Sequence, residues 1–230
     1  VLILFDYAKL VCSSRECMED VDEIISVYSE IIKPIVKSTR VKVELRSEAQ
    51  PIIFSIDENT LRYIVESIKA QAKSRGIDFG DIRLDAIRSI DIQEAQSIVS
   101  FIARRVLYES LRDKHLDLRH LSGRCPICGL YPILGLFKRE RGEVFSRDVI
   151  ELRCLCGYSY TLDQYVCPVC GNSDKKLFNL YIIGEVTYRV CTRCNHTLGV
   201  IREFRDIDLD LLTLIVAYGL ILLSKSLSGT

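Results

Sequence analysis

The chain has 230 residues, 48% of them apolar, enough for one large or two ordinary domains with a filled core, which excludes a small disulfide-stapled scaffold. Its 31 basic and 31 acidic residues cancel, so no field over the whole molecule draws it to nucleic acid or to an anionic membrane. Ten cysteines are present, eight of them between 125 and 194; paired short spacings in a chain this long read as metal thiolates in a reducing compartment, here the cytoplasm.

The apolar start "VLILF" is five residues long without a basic flank, so no signal peptide is expected. Cys12 and Cys17 lie five apart in a predicted helix and so face different sides, as core residues or free thiols. Val21, Ile24, Ile25, Tyr28, Ile31 and Ile32 recur at helical spacing behind a capping-box-like start of Asp20 and Glu23, and Pro34 should end or kink this helix. The stretch "VKVELRSEAQP" at 41–51 reads as a loop with room for a short strand. A second helix is predicted from near Asp57 to a C-cap at Gly76, with Leu61, Ile64, Val65, Ile68 and Ala72 on one face. A third opens at Asp91, with Glu94 three residues on, and turns Ala95, Ile98, Val99, Ile102 and Val106 inward. Such stripes are core, and they assign residues 1–121 to a helical bundle. His115 and His120 read as helix-end or surface residues rather than ligands.

From Gly123 the character changes to short β-rich runs between cysteine pairs. The device C-P-x-C-G at 125–129 returns at 167–171, a shift of 42, and Gly142-Glu143-Val144 returns as Gly184-Glu185-Val186 with the same shift. Each Gly-Glu step falls where a hairpin turn belongs, and each copy closes with a second cysteine pair, Cys154/Cys156 and Cys191/Cys194. A redox CxxC would open a helix within a βαβ pattern, and neither copy does. Instead, two cysteines of such a turn sit close enough for one metal ion, and its Gly permits φ > 0 so that the Gly N–H can point at a thiolate. Because each copy brings its own hairpin, the pairing within copies is preferred over an interleaved one. Cys125, Cys128, Cys154 and Cys156 are then the ligands of one four-cysteine site. Cys167, Cys170, Cys191 and Cys194, with the C-x₂-C-x₂₀-C-x₂-C spacing of a zinc ribbon, are those of a second. Iron and zinc both accept this ligand set, so two metal ions, iron or zinc, are expected. The CxC closing turn of the first site predicts the looser, more easily chelated of the two. His196 lies near Cys194, but four cysteines already complete that site.

The apolar run "LLTLIVAYGLILL" at 211–223 is shorter than a bilayer span, so a buried core helix and no membrane insertion are expected. Residues 121–205 hold 12 Lys/Arg against 8 Asp/Glu, with "KRERGEVFSR" at 138–147 as a basic hairpin tip. A nucleic-acid-binding ribbon is therefore one alternative, disfavoured by the overall neutrality. A rubredoxin-like electron-transfer protein is another, though it leaves the large helical half unexplained. No Ser-His-Asp order, phosphate loop or HExxH motif is present, and closed four-thiolate sites leave no open position for substrate, so the chain does not read as an enzyme.

With these motifs laid out, residues from about Phe101 to about Leu223 resemble the formate dehydrogenase accessory protein (FdhE) family. The likeness rests on the helix "FIARRVLYESL" leading into "SGRCPICGLYPI", where Gly123, the knuckle and Pro132 match. It continues in "RCLCGYSYTLDQYVCPVC", with Tyr160 as the family's aromatic, in "CTRCNHTLGVI", and in "DIDLDLLTLIV", where Asp210, Leu211 and Leu214 match. Residues 1–100 resemble it through "PIIFSIDENTLRYIVESI". The sequence departs from the family in closing its first site with CxC instead of CxxC, and in separating Asp208 from Asp210 by Leu209. The resemblance implies an α+β architecture: an N-terminal all-helical domain (1–121), two tandem rubredoxin-like, or zinc-ribbon, modules (122–165 and 166–205) and a C-terminal apolar helix (206–230). It implies a non-catalytic, cytoplasmic accessory protein that binds the catalytic subunit of a molybdenum or tungsten formate dehydrogenase during maturation. Partner contacts are expected around Asp206, Asp208 and Asp210.

Overall fold

The computed structural model describes residues 7–12, 14–43, 51–90, 97–113, 123–141, 146–202 and 207–228. The chain divides into two compact units, one of Ser26–Tyr131 with Leu155–Tyr158, the other of Val1–Ile25, Pro132–Cys154 and Ser159–Thr230.

The helices start with α1 (Tyr7–Val11) and α2 (Arg15–Val27). The helix expected from Asp20 begins earlier, because the Ser14 hydroxyl accepts the Cys17 amide and caps the first turn. Cys12 and Cys17 do not share one helix: α1 ends at Val11 and α2 begins at Arg15, their Cα atoms stand 5.4 Å apart, and the two sulfurs are bonded to each other. They are core residues, as expected, but not free thiols. Pro34 does not stop the helical path either. A π-helical turn at Tyr28–Ile32, with the Lys33 amide bonded to the Tyr28 carbonyl, leads directly into α3 (Lys33–Ser38) with the proline in its first turn. The widened turn absorbs the donor that proline lacks.

Next come α4 (Ile52–Ser55) and α5 (Glu58–Lys73). In α5 the Asp57 carboxylate caps the Thr60 amide at 2.9 Å, the predicted stripe Leu61, Ile64, Val65, Ile68 and Ala72 is buried, and Gly76 takes φ 80° just past the end. After α6 (Leu84–Arg88) comes α7 (Ile98–Leu111), capped by Ser97. The expected start at Asp91, Glu94 and Ala95 lies outside the described residues, as do His115 and His120. Val99, Ile102 and Val106 are buried, but Ile98, at the first position, is 42% exposed. From Val99 to Leu107 every α7 residue is buried, so α7 is the central helix of its unit rather than an amphipathic surface helix.

In the other unit the strands β1 (Leu134–Arg141), β2 (Ser146–Arg153), β3 (Ser159–Asp163), β4 (Phe178–Ile183), β5 (Val186–Cys191) and β6 (Thr197–Ile201) form one sheet in the order β3-β2-β1-β6-β5-β4. All pairings are antiparallel except β1 with β6, where Leu134, Gly135 and Leu136 run parallel to Gly199, Val200 and Ile201. The two copies of the repeat thus share a sheet through their inner strands. Gly184 and Glu185 form the predicted turn between β4 and β5, while Gly142 and Glu143 lie outside the described residues.

The C-terminal helix α8 (Leu209–Ser228) is longer than the apolar run suggested: 18 of its residues, Leu209–Ser226, are long and apolar enough to cross a membrane. Its face of Leu211, Leu212, Ile215, Val216 and Leu223 is buried against α1, β1 and β6, and the Tyr188 hydroxyl of β5 donates to the Val216 carbonyl at 3.5 Å, which is the packing of a core helix.

Candidate metal centres

The structure brings the eight candidate cysteines into two groups of four, Cys125/Cys128/Cys154/Cys156 and Cys167/Cys170/Cys191/Cys194, with the sulfurs of each group all within 4.8 Å of one another. Three of these turns share one backbone pattern. The first cysteine donates its amide to a carbonyl five residues on, Cys125 to Leu130 at 2.8 Å, Cys167 to Asn172 at 2.8 Å and Cys191 to His196 at 2.9 Å. The fourth residue on donates back to that cysteine's carbonyl, Gly129 at 2.8 Å, Gly171 at 3.0 Å and Asn195 at 2.7 Å. That residue has positive φ in all three turns, 75°, 67° and 58°. The glycine amide therefore goes to the cysteine carbonyl, not to sulfur as its position suggested. In the second group it is the turn's inner amides that reach the thiolates: Val169 and Cys170 donate to Cys167, Arg193 and Cys194 to Cys191, and His196 to Cys194. The buried Asn172 adds its amide to Cys191 at 3.9 Å.

Sulfurs around one tetrahedral ion at about 2.3 Å stand about 3.8 Å apart. Here Cys125 and Cys156 are 3.5 Å apart, Cys167 and Cys194 3.6 Å, and Cys170 and Cys191 3.6 Å, so each group fits a single zinc or iron ion. Cys191 and Cys194 of the second group are pulled in opposite directions. Against the effect of burial, the amide donors bring Cys191 down to about 7, while burial and the neighbouring sulfurs push Cys194 up to about 12. Four thiolates cannot crowd together without a cation, and a divalent ion removes that conflict. Each group can therefore hold one metal ion.

The two groups differ in surroundings. All four sulfur residues of the first are 0% exposed, whereas Cys170 and Cys194 of the second are half-buried. Around the first group, the Ile52 and Ile53 amides of α4 donate to the Pro126 and Ile127 carbonyls at 2.8 and 2.9 Å. Two consecutive α7 arginines reach the same turns: Arg104 donates to the Cys128 carbonyl and Arg105 to the Cys156 carbonyl, both at 2.8 Å. Gly157, at φ 96°, leaves the space that Arg105 fills, since a Cβ there would lie 1.4 Å from its Nη1. Neither arginine stood out in the sequence, although two cations inside an apolar helix are a signal of buried polar work. His196 is not part of either group; burial lowers its imidazole to about 4, and its carbonyl serves the Cys191 amide.

Of the three aspartates expected at a partner surface, Asp206 lies outside the described residues. Asp208 caps α8, accepting the Asp210 and Leu211 amides at 3.1 and 3.3 Å, and Asp210 is ion-paired with Arg153.

A helical half, a ribbon sheet and two four-cysteine groups define the class: a metal-binding ribbon protein. Its fold is that of "the FdhE protein from Pseudomonas aeruginosa", a crystal structure that superposes with a TM-score of 0.57 at 14% identity, over 93% of this chain and 84% of that one. No protein-family model matches the sequence, and no curated protein matches it.

Proposed function

We propose that this chain is a non-catalytic, cytoplasmic accessory protein that carries two iron or zinc ions and holds the catalytic subunit of a molybdenum or tungsten formate dehydrogenase while that enzyme matures. The observation that carries the reading is the pair of closed four-cysteine groups set in an FdhE fold over nearly the whole chain. Closed thiolate sites serve folding and docking rather than substrate chemistry. The nucleic-acid alternative is weakened at the hairpin where it looked strongest: among the described residues, Lys138 is paired with Glu151, Arg139 with Asp148, and Arg147 with Glu140 and Asp163, so these three positive charges are matched locally. The test is affinity capture from the native host without oxygen in moderate salt. Recovery of a molybdenum- or tungsten-enzyme subunit supports the reading; recovery of nucleic acid or transcription components overturns it.

An electron-transfer role has one observation in its favour, the half-buried Cys170 and Cys194, which would bring an iron centre to the surface. A reversible ferric–ferrous couple confined to the second group would favour it; zinc in that group of the native protein would remove it.

A further inference from the structure

We infer that Arg104 is the counter-charge of the first four-cysteine group, so that this group's hold on its metal is set electrostatically by α7. The inference rests on the metal-binding part of the reading above and not on any partner.

Four thiolates around a divalent ion carry a net charge of −2, and at the first group all four cysteine residues are 0% exposed. A dry anion of that size is costly unless a cation lies beside it. Arg104 is also 0% exposed. Among the described residues its partners are all neutral: the Ser100 hydroxyl at 3.2 Å, the Ser89 carbonyl, and the Cys128 carbonyl at 2.8 Å. A guanidinium stays charged at any ordinary pH, so its burial among neutral groups poses the same electrostatic problem with the opposite sign. The bond to the carbonyl of Cys128, a member of the group, puts the two problems side by side, where each answers the other.

The neighbouring Arg105 is a different case. It is bonded to the Cys156 carbonyl, but Glu109, itself 14% exposed, pairs with it at 3.1 Å and with the exposed Arg112 at 3.6 Å. Arg104 is thus the surplus cation, and Glu109 a nearby anion that works against the group.

This arrangement makes opposite predictions for two substitutions, which a packing role would not. Arg104→Met removes the cation while retaining a long side chain, and should weaken metal binding at the first group by at least about a hundredfold; Arg104→Lys, which keeps the charge, should recover most of that loss. Glu109→Gln removes a competing anion without touching Arg104, and should tighten the same group by about tenfold. The experiment loads the full chain with cobalt(II), whose visible absorption reports four-thiolate ligation, and titrates it against a chelator, with the second group as internal reference. Arg104→Met binding two cobalt ions with wild-type affinity overturns the inference alone, as does weaker binding in Glu109→Gln. That second variant decides the matter should Arg104→Met not fold. A wild-type chain that takes up no cobalt overturns the metal reading, and the inference with it.

Discussion

Asn195 holds in the fourth cysteine turn the left-handed backbone position that Gly171 holds in the third, at φ 58° against 67°. Both donate their amides to the carbonyl of the cysteine four residues before. Asparagine tolerates this region better than other residues with a Cβ, and β-branched side chains tolerate it worst. Asn195→Gly should leave stability within about 0.5 kcal/mol of wild type, while Asn195→Val should cost about 2 kcal/mol. Denaturant unfolding followed through the ribbon sheet measures both. Equal stability of the Val and Asn forms would sink the equivalence of the turns.

The same comparison shows how far the sequence could be read. The 42-residue repeat located both cysteine groups, because ligand spacing and turn residues are local and survive without tertiary context. What it could not convey was non-local. The parallel pairing of Leu134 with Gly199 joins strands sixty-odd residues apart, and no local pattern encodes it. Pro34 inside a continuing helical path depended on a π-turn, and the Cys12–Cys17 bond on a break in the helix predicted to hold both cysteines. Ile98 followed the predicted stripe yet stands at the surface, since α7 is buried by its position in the unit rather than by one face. Arg104 was invisible for a related reason: its role depends on a carbonyl 24 residues away.

Asp210 and Arg153 form an ion pair whose side chains are 22% and 13% exposed, and it ties the start of α8 to the end of β2. Removing the carboxylate leaves a mostly buried guanidinium uncompensated. Asp210→Ala should therefore cost about 2 kcal/mol, and Asp208→Ala, which loses only a cap, about 1 kcal/mol. Thermal unfolding separates the two. Stable variants that lose capture of the partner would instead assign these aspartates to the partner surface alone.

The Cys12–Cys17 bond closes a loop of only a few residues, so the chain-entropy account gives it a modest value of about 2 kcal/mol. Cys12→Ala/Cys17→Ala should lower stability by that order while both metal ions remain bound. Thermal unfolding and metal analysis of the same preparation check this. Loss of either ion in the double variant would mean that these two cysteines take part in metal binding after all.

The turn at Gly184 packs against the end of α1, where the Glu185 amide donates to the Leu10 carbonyl at 3.1 Å. A Cβ on Gly184 would fall 2.3 Å from the Lys9 carbonyl oxygen, and φ is 57° there. Backbone on both sides leaves little room for relief. Gly184→Ala should lose about 2 kcal/mol or more and speed amide exchange in α1 ahead of the sheet. Unchanged exchange at Leu10 and Val11 would show that α1 is not held by this turn.

The order of metal release should be the reverse of what the CxC turn suggested. A looser turn would make Cys154 and Cys156 the easier pair to strip, but a chelator must first reach a sulfur or the ion, and the first group offers it none: its four cysteine residues are 0% exposed. Amides of α4 and guanidiniums of α7 hold its turns through the Pro126, Ile127, Cys128 and Cys156 carbonyls, so opening it requires α4 and α7 to let go as well. The second group presents the half-buried Cys170, beside the exposed Gly171, and the half-buried Cys194, between the exposed Arg193 and Asn195. Metal should therefore leave in two phases under excess chelator, the second group's ion first by at least about tenfold in rate. Stopped-flow release monitored with a chromophoric chelator gives the phases, and Cys194→Ser, which weakens only the second group, identifies them by accelerating the fast phase. If the slow phase responds to that substitution instead, burial does not govern release and the geometry of the CxC turn does.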